Sequence, residues 1–390
     1  MSVSASGPLQ GVRVLDLTIN VLGPYATQIL GDMGADVIKV ETPLGDHNRH
    51  NGPARSAGMS ALFMSNNRNK RSLVLNLKNK TDLATLMDLV ETADVFIHSM
   101  RSTAANRLGI GYQAVSARNK RIIYGFGCGY RQDGPKANRP AYDDVIQGES
   151  GLVGIVRDVT GEARYVPTIV VDKLAGTVLA SAVGMALFHR ERTGLGQEIH
   201  VPMLETTVSF LMSEHLWEGV HERADPKLGY PRLFNSRPLR TSDGHISLCA
   251  ISDAQWQAVF EALELEALRT DARFVTMAKR SSNFTELYRI LGEILASAPT
   301  EHWRQVFDAA DIPNGPINSL SDVYHDPYLR ESGFWVNYDH PSEGACVTPA
   351  VVPHFSVSPG NLHQPAPRLG EHSAELIAEI QSRKRVAKRV

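Results

Sequence analysis

Five short runs rich in Val, Ile and Leu alternate with helix-compatible segments over the first third of the chain: VRVLDL (12–17), ADVIKVE (35–41), SLVLNL (72–77), DVFIH (94–98) and RIIYGFG (121–127). Continuous branched runs suit strands buried on both faces, and helical crossovers between them make the sheet largely parallel. PYATQILGDMG after the first run and KTDLATLMDLVETA after the third supply such crossovers. The expected fold class is therefore α/β, with a large Rossmann-like, doubly wound, mostly parallel sheet. Such a sheet needs a large core. With 43% apolar and 21% charged residues the composition is that of an ordinary globular protein, not of a disordered chain.

At 390 residues the chain is long enough for a second core. VPTIVV (166–171) reads as a strand running into a long helix that begins at Asp172 and stops at Gly194 and Gly196. Gly176, Ala180 and Gly184 fall four apart on that helix, a small-residue face suited to close packing. Residues 1–217 make the large domain, and Pro226, Gly229, Pro231 and Pro238 mark 218–240 as a linker. A smaller α+β domain is expected over 241–318, from TSDGHISLCAI and the helix-like DAQWQAVFEALEL and FTELYRILGEILAS. Residues 319–340 read as a return linker. Residues 341–390, ending in SAELIAEIQSRKRV, complete the large domain.

Several function classes are set aside. Lys plus Arg number 40 against 42 Asp plus Glu, and the basic cluster from Arg383 to Arg389 reads as a solvated helix end, so no nucleic-acid partner is expected. The longest apolar stretch, Leu174–Phe188, contains Thr, Ser and Gly and is shorter than the ~20 residues of a membrane span, so no membrane partner is expected either. Cys128, Cys249 and Cys346 lie far apart, and the N-terminus has no basic segment leading into an apolar one; both features point to the cytoplasm. No P-loop, dinucleotide fingerprint, zincin motif or nucleophile elbow is present. The 14 His residues show no metal-ligand spacing, and no metal site is expected.

The turn GFGCGYRQDGP (125–135) lies at the carboxyl end of a strand, where open α/β sheets place ligands, although its glycines serve a bare tight turn equally well. Asp172 stands out among the carboxylates because apolar residues flank it on both sides. Asp is a favoured N-cap, and a carboxylate kept ionised by a helix dipole is also what a covalent acyl carrier needs; the two readings stand together.

The segments PLQGVRVLDLT, LGPYATQILGDMGADVIKVETPLGD, NRNKRSLVLNLK, NRLGIGY, GFG with DGP, RPAYDD, VVDKLAG followed by its apolar helix and GLGQ, TSDGHISL, IPNGPIN and APRLGEH run in this order nearly end to end. In that order the chain resembles the class III coenzyme A transferases, the group of formyl-CoA and carnitine CoA-transferases also called CaiB/BaiF. The resemblance implies an acyl-CoA:carboxylate CoA-transferase with Asp172 as nucleophile, passing through an aspartyl anhydride and an aspartyl-CoA thioester. It places CoA contacts at Asn20, Leu75, Lys78, Arg107 and Ser99, the last where an Asn is usual, and the acyl pocket at Gly127, Tyr142 and Asp143. Acyl-CoA and a small carboxylic acid would be its substrates, with no tightly bound cofactor. An interlaced, ring-shaped homodimer is implied as well.

Val21, Thr42, Leu62 and Pro140 stand where formyl-CoA transferase has Gln, Arg, Tyr and Lys, and its Gly-rich loop has no counterpart between Glu218 and Arg240. These departures point away from formate and oxalate and toward a bulkier acid in an apolar pocket. Two alternatives are an α-methylacyl-CoA racemase and a CoA-binding protein without catalysis. The racemases use a His before an Asp as a base, and here that position is Tyr142 before Asp143, a phenol poorly suited to take a proton at neutral pH.

Overall fold

Six parallel strands, β1 (Arg13–Leu17), β2 (Asp36–Glu41), β3 (Lys70–Val74), β4 (Val95–His98), β5 (Ile123–Cys128) and β6 (Gln197–Pro202), lie in the order β3-β2-β1-β4-β5-β6. The five apolar runs supply the first five. The sixth, QEIHVP, pairs with β5 at the sheet edge, where its alternation of partly buried and exposed residues carries no apolar run to announce it. The computed structural model describes residues 4–221 and 237–387. The chain divides into two units, Met1–Pro231 with Gly333–Val390, and Arg232–Ser332.

Successive residues of a strand point to opposite faces, and both faces of this sheet are covered. Val14, Val37, Ile97 and Ile123 pack with helix α1 (Leu22–Asp32) and with the long helix Val170–Thr193. Leu15, Ile38, Phe96 and Tyr124 pack on the other side with Leu86, Val115 and Leu376. Charged residues also sit inside these strands. Asp16, Lys39 and Lys70 are 0% exposed. A strand buried on both faces leaves no solvated side for a charge, so each must find its partner inside.

VPTIVV is not a strand. Helix α3 (Val170–Thr193), which follows α2 (Asp143–Glu149) among the helices described here, begins two residues before Asp172, and the residues ahead of it are irregular. The Gln147 side chain holds them, accepting from the Val166 amide at 2.9 Å, so the segment's hydrogen bonds go to α2 and not to a strand ladder. Gly176 faces α1, where a Cβ would lie 2.6 Å from the Leu22 carbonyl oxygen, whereas a Cβ at Gly184 would meet nothing. Helix α3 has the length and composition of a membrane span, but Ala175, Leu179 and Val183 are fully buried against α1 and the sheet.

The second unit holds a three-stranded antiparallel sheet, Leu239–Arg240, His245–Leu248 and Asn314–Pro316. Trp256, Phe260, Leu287, Leu291, Trp303 and Phe307 form its core, from helices Asp253–Ala262, Phe284–Leu295 and Thr300–Ala309. Most of the segment read as a linker, 222–236, lies outside the described residues. Residues 319–340, read as a return linker and holding one proline, Pro327, are more ordered than that reading suggested. They carry helices Leu320–His325 and Pro327–Glu331 and the strand Trp335–His340, which pairs with Gly344–Pro349. Pro327 starts a helix instead of breaking one because its missing N–H costs nothing in a first turn.

Candidate active site

The strand order reverses between β1 and β4, which opens a crevice above their carboxyl ends, the usual ligand position in such sheets. A cavity lies there. Ile19, Asn20 and Leu22 line it from beyond β1, Ser99, Met100 and Arg101 from beyond β4, Gly127, Cys128 and Gly129 from the end of β5, and Asp172 from the start of α3. The Ser99 hydroxyl accepts from the Ile19 amide at 3.0 Å and ties the first two walls together. Gln132, Arg139, Pro140 and Tyr142 complete the rim, so the wall mixes guanidinium and amide groups with apolar ones and is less apolar than the sequence reading expected.

Asp172 sits in the first turn of α3. Its carboxyl is pushed up to about 6, first by burial and then by the negative charge of Asp143, against a hydrogen bond from the Leu22 amide that favours the ionised form. Asp172 does not cap its helix. Asp143 does that from α2, its Oδ2 accepting from the amides of Val171 at 2.8 Å and Asp172 at 3.0 Å, two of the donors a helix start leaves without partners. Burial and a second carboxylate thus oppose the helix dipole that was expected to keep Asp172 ionised.

Of the residues named from the sequence, Asn20, Ser99, Gly127, Tyr142 and Asp172 share this cavity. Tyr142 is 68% exposed. Gly127 makes room for Leu22, whose Cδ2 would lie 2.3 Å from a Cβ there. Asp143 is not part of the lining; it is buried beneath, with its other oxygen accepting from Gln147 at 2.6 Å. Leu75 is buried in the core beside β3, and its amide bonds to the Glu41 carbonyl. Lys78 and Arg107 are exposed, one beyond the end of β3 and the other at the end of helix Ser102–Arg107, and among the described residues neither is in an ion pair.

Two contributors escaped the sequence reading. Cys128 lines the cavity, but burial pushes its thiol up to about 12, so it stays protonated and unreactive at neutral pH. His98, at the end of β4, is pushed down to about 3 by burial and stays neutral, which leaves Nδ1 free to accept from the Met100 amide at 3.1 Å and shape the loop that carries Ser99. Asp143 was read as a pocket residue and acts as a helix cap. It lies 29 residues before Asp172, and the helix start it caps has no capping side chain of its own.

An ionisable carboxylate near neutrality, beside a backbone donor and open to a cavity, can attack a carbonyl carbon or take a proton. The comparisons narrow this. The profile of CoA-transferase family III matches residues 9–373. The chain is 33% identical to succinate–glutarate CoA-transferase of Agrobacterium fabrum, with 97% of each chain covered. It is 32% identical to succinyl-CoA:glutarate CoA-transferase of Mus musculus, covering 96% of this chain and 86% of that one. Acetyl-CoA:oxalate CoA-transferase of Acetobacter aceti is 32% identical, with 96% of each covered. Among solved structures, Rv3272 of Mycobacterium tuberculosis superposes with a TM-score of 0.84 at 30% identity, over 95% of this chain and 99% of that one. A CaiB/BaiF family protein from Brucella suis gives 0.82 at 29% identity, over 96% and 100%. The chain belongs to CoA-transferase family III and is an enzyme that transfers coenzyme A between acyl-CoA and a carboxylate.

Proposed function

We propose that Asp172 carries the acyl group and then CoA in a two-stage exchange. Its carboxylate attacks the thioester carbonyl of the donor, forming an acyl-aspartyl anhydride and releasing CoA thiolate. The thiolate attacks the aspartyl carbonyl, giving an aspartyl-CoA thioester and the free donor acid. The acceptor carboxylate attacks that thioester, a second anhydride forms, and the thiolate attacks its acyl carbonyl to yield the new acyl-CoA and Asp172. Over the cycle one thioester is broken and one is formed, and every acyl carbon keeps its oxidation level, so no oxidant or other co-reactant enters. The observation that carries this reading is the Asp172 carboxylate itself, lining the switch-point cavity together with Leu22, whose amide favours the ionised form. When the aspartyl carbonyl is attacked, a backbone amide on that wall would take the charge developing on its oxygen. Holding thiolate and acid in the cavity makes each later step effectively intramolecular, a gain of about 7 to 11 kcal/mol in favourable cases.

Lys78 and Arg107 are taken to meet the phosphates of CoA, and Asn20 and Ser99 its arm near the reacting carbon, with Gly127 and Tyr142 toward the acyl group. Succinate and glutarate, named for the relatives, are dicarboxylic acids, and Arg101 and Arg139 share the cavity with Asp172. A short dicarboxylic acid is therefore the proposed acceptor, and oxalate stays in the panel because a relative is named for it. Asp143 gives both its oxygens to Val171, Asp172 and Gln147, which leaves no pair of bases for a racemase. The test is to incubate the protein with succinyl-CoA and each acid and to separate the thioesters formed. Transfer to at least one dicarboxylic acid, lost in Asp172→Ala, is expected. Exchange of the proton next to the thioester into deuterated solvent, with no transfer to any acid, would contradict the reading.

A further inference from the structure

Six charged side chains of the large unit, Asp16, Lys39, Glu41, Asp46, Arg49 and Lys70, are each at most 5% exposed. They form three ion pairs: Lys70–Asp16 at 3.0 Å, Lys39–Asp46 at 3.0 Å and Arg49–Glu41 at 2.7 Å. Desolvation offsets most of the attraction within a buried pair, so stability alone is a weak reason for three of them.

Several hydrogen bonds that leave this cluster end on one segment, Thr18–Pro24, while Arg49 reaches the carbonyls of Gly58 and Pro367 and Lys70 also reaches Asn67. Lys39 donates to the Thr18 carbonyl at 2.9 Å and Lys70 to the Pro24 carbonyl at 2.9 Å. Asp16 accepts from the Thr18 amide at 2.9 Å. Asp46 accepts from the Asn20 amide at 3.2 Å, and the Asn48 side chain donates to the Asn20 carbonyl at 2.7 Å. Asn20 is thereby held on both sides at φ +66°, a left-handed conformation that few side chains adopt. Two residues further on, Leu22 lines the cavity with Asn20 and Asp172.

We propose that Lys39, Asp46 and Asn48 are positioning residues for CoA transfer, fixing the backbone of Thr18–Leu22 so that Asn20 and Leu22 keep their places in the cavity wall beside Asp172. None of the three lines the cavity. The proposal rests on Asp172 being the nucleophile. With the clamp released, Asn20 relaxes out of the left-handed region and carries Leu22 with it, and the carboxylate loses the amide that favours its ionised form. The other groups around Asp172 are Asp143 behind the start of α3, and Tyr142, Cys128, Arg101 and Arg139 about the cavity.

Asn48→Ala and Asn48→Leu test this. Both remove the donor to the Asn20 carbonyl, and the second keeps the side-chain bulk and serves if the first does not fold. Acylation of Asp172 by succinyl-CoA is followed across pH by rapid quench and peptide mass, alongside a thermal melt. In a variant that melts near the parent, acylation is expected to be about 10 to 100 times slower, with its pH midpoint moved upward because a donor to the ionised form is gone, and with kcat changed more than KM. Parental acylation rates and an unmoved midpoint in a folded variant would overturn the proposal. A parent chain that takes no acyl group on Asp172 would instead overturn the reading on which it rests.

Discussion

Asp172 is placed where its charge is resisted. Its carboxyl stands at about 6 in the folded chain against an ordinary value of 3.8, so the protonated form is favoured by folding. The associated stability is fully present below the unfolded value and is lost as pH rises through about 6. The difference corresponds to at most about 3 kcal/mol, reduced by the water that a half-buried carboxylate keeps. Asp172→Asn should therefore melt above the parent at pH 7.5, with the gap closing near pH 4, while transfer is abolished; a variant melting below the parent at pH 7.5 would contradict this assignment of its environment. In the parent, the rate of acylation should rise with pH through about 6 and then level, as a nucleophile active only when ionised requires. A flat profile between pH 5 and 7.5, measured by the burst of free CoA, would count against it. The sequence made Asp172 legible through its apolar flanks. It placed Asp143 in the acyl pocket and could not show its capping role, because a cap delivered from another helix leaves no local pattern.

At the scale of elements, the position of Asp172 depends on how closely α3 approaches α1. Gly176 lies one turn along α3 from Asp172, and a methyl group there would enter the Leu22 carbonyl. Gly176→Ala should destabilise the chain by about 1 to 3 kcal/mol, the usual cost of overpacking, and slow transfer as well, whereas Gly184→Ala, with open space at its Cβ, should leave both nearly unchanged; denaturant titration and the transfer assay separate the two. The buried charges of β1 to β3 make a second test. Asp16 is held well below the ordinary carboxylate range: burial opposes its ionisation, but the ammoniums of Lys70 and Lys39 and the hydroxyls of Thr18 and Thr27 more than compensate. Asp16→Asn leaves Lys70 buried without its counter-charge and should cost about 3 to 5 kcal/mol in a denaturant titration. Five strands were legible as apolar runs. β6 was not, because an edge strand need not be apolar, and VPTIVV was misread because a branched run before a helix looks the same whether or not a neighbouring strand exists to pair with it.

For the whole molecule, the polar, proline-marked stretch before residue 240 pointed to a second domain, while the ordered elements within 319–340 were hidden by Pro327, which starts a helix, and by Pro341, which borders a strand. The homodimer belongs to the proposed reading. Its support here is the apolar surface that the large unit leaves uncovered, with Met185 at 71%, Phe188 at 65% and Phe210 at 61% exposure, more than isolated surface apolar residues require. Light scattering after gel filtration should give twice the chain mass, and Phe188→Glu should shift it toward the monomer; a parent that runs as a monomer would remove the dimer from the account. The central claim is that Asp172 carries the acyl group and CoA covalently. It is tested most directly by incubating the parent and Asp172→Ala with succinyl-CoA, trapping with hydroxylamine and mapping the peptides by mass. The account predicts a hydroxamate on the Asp172 peptide of the parent and none in the variant. An unmodified Asp172 peptide under conditions in which the parent transfers CoA would contradict it.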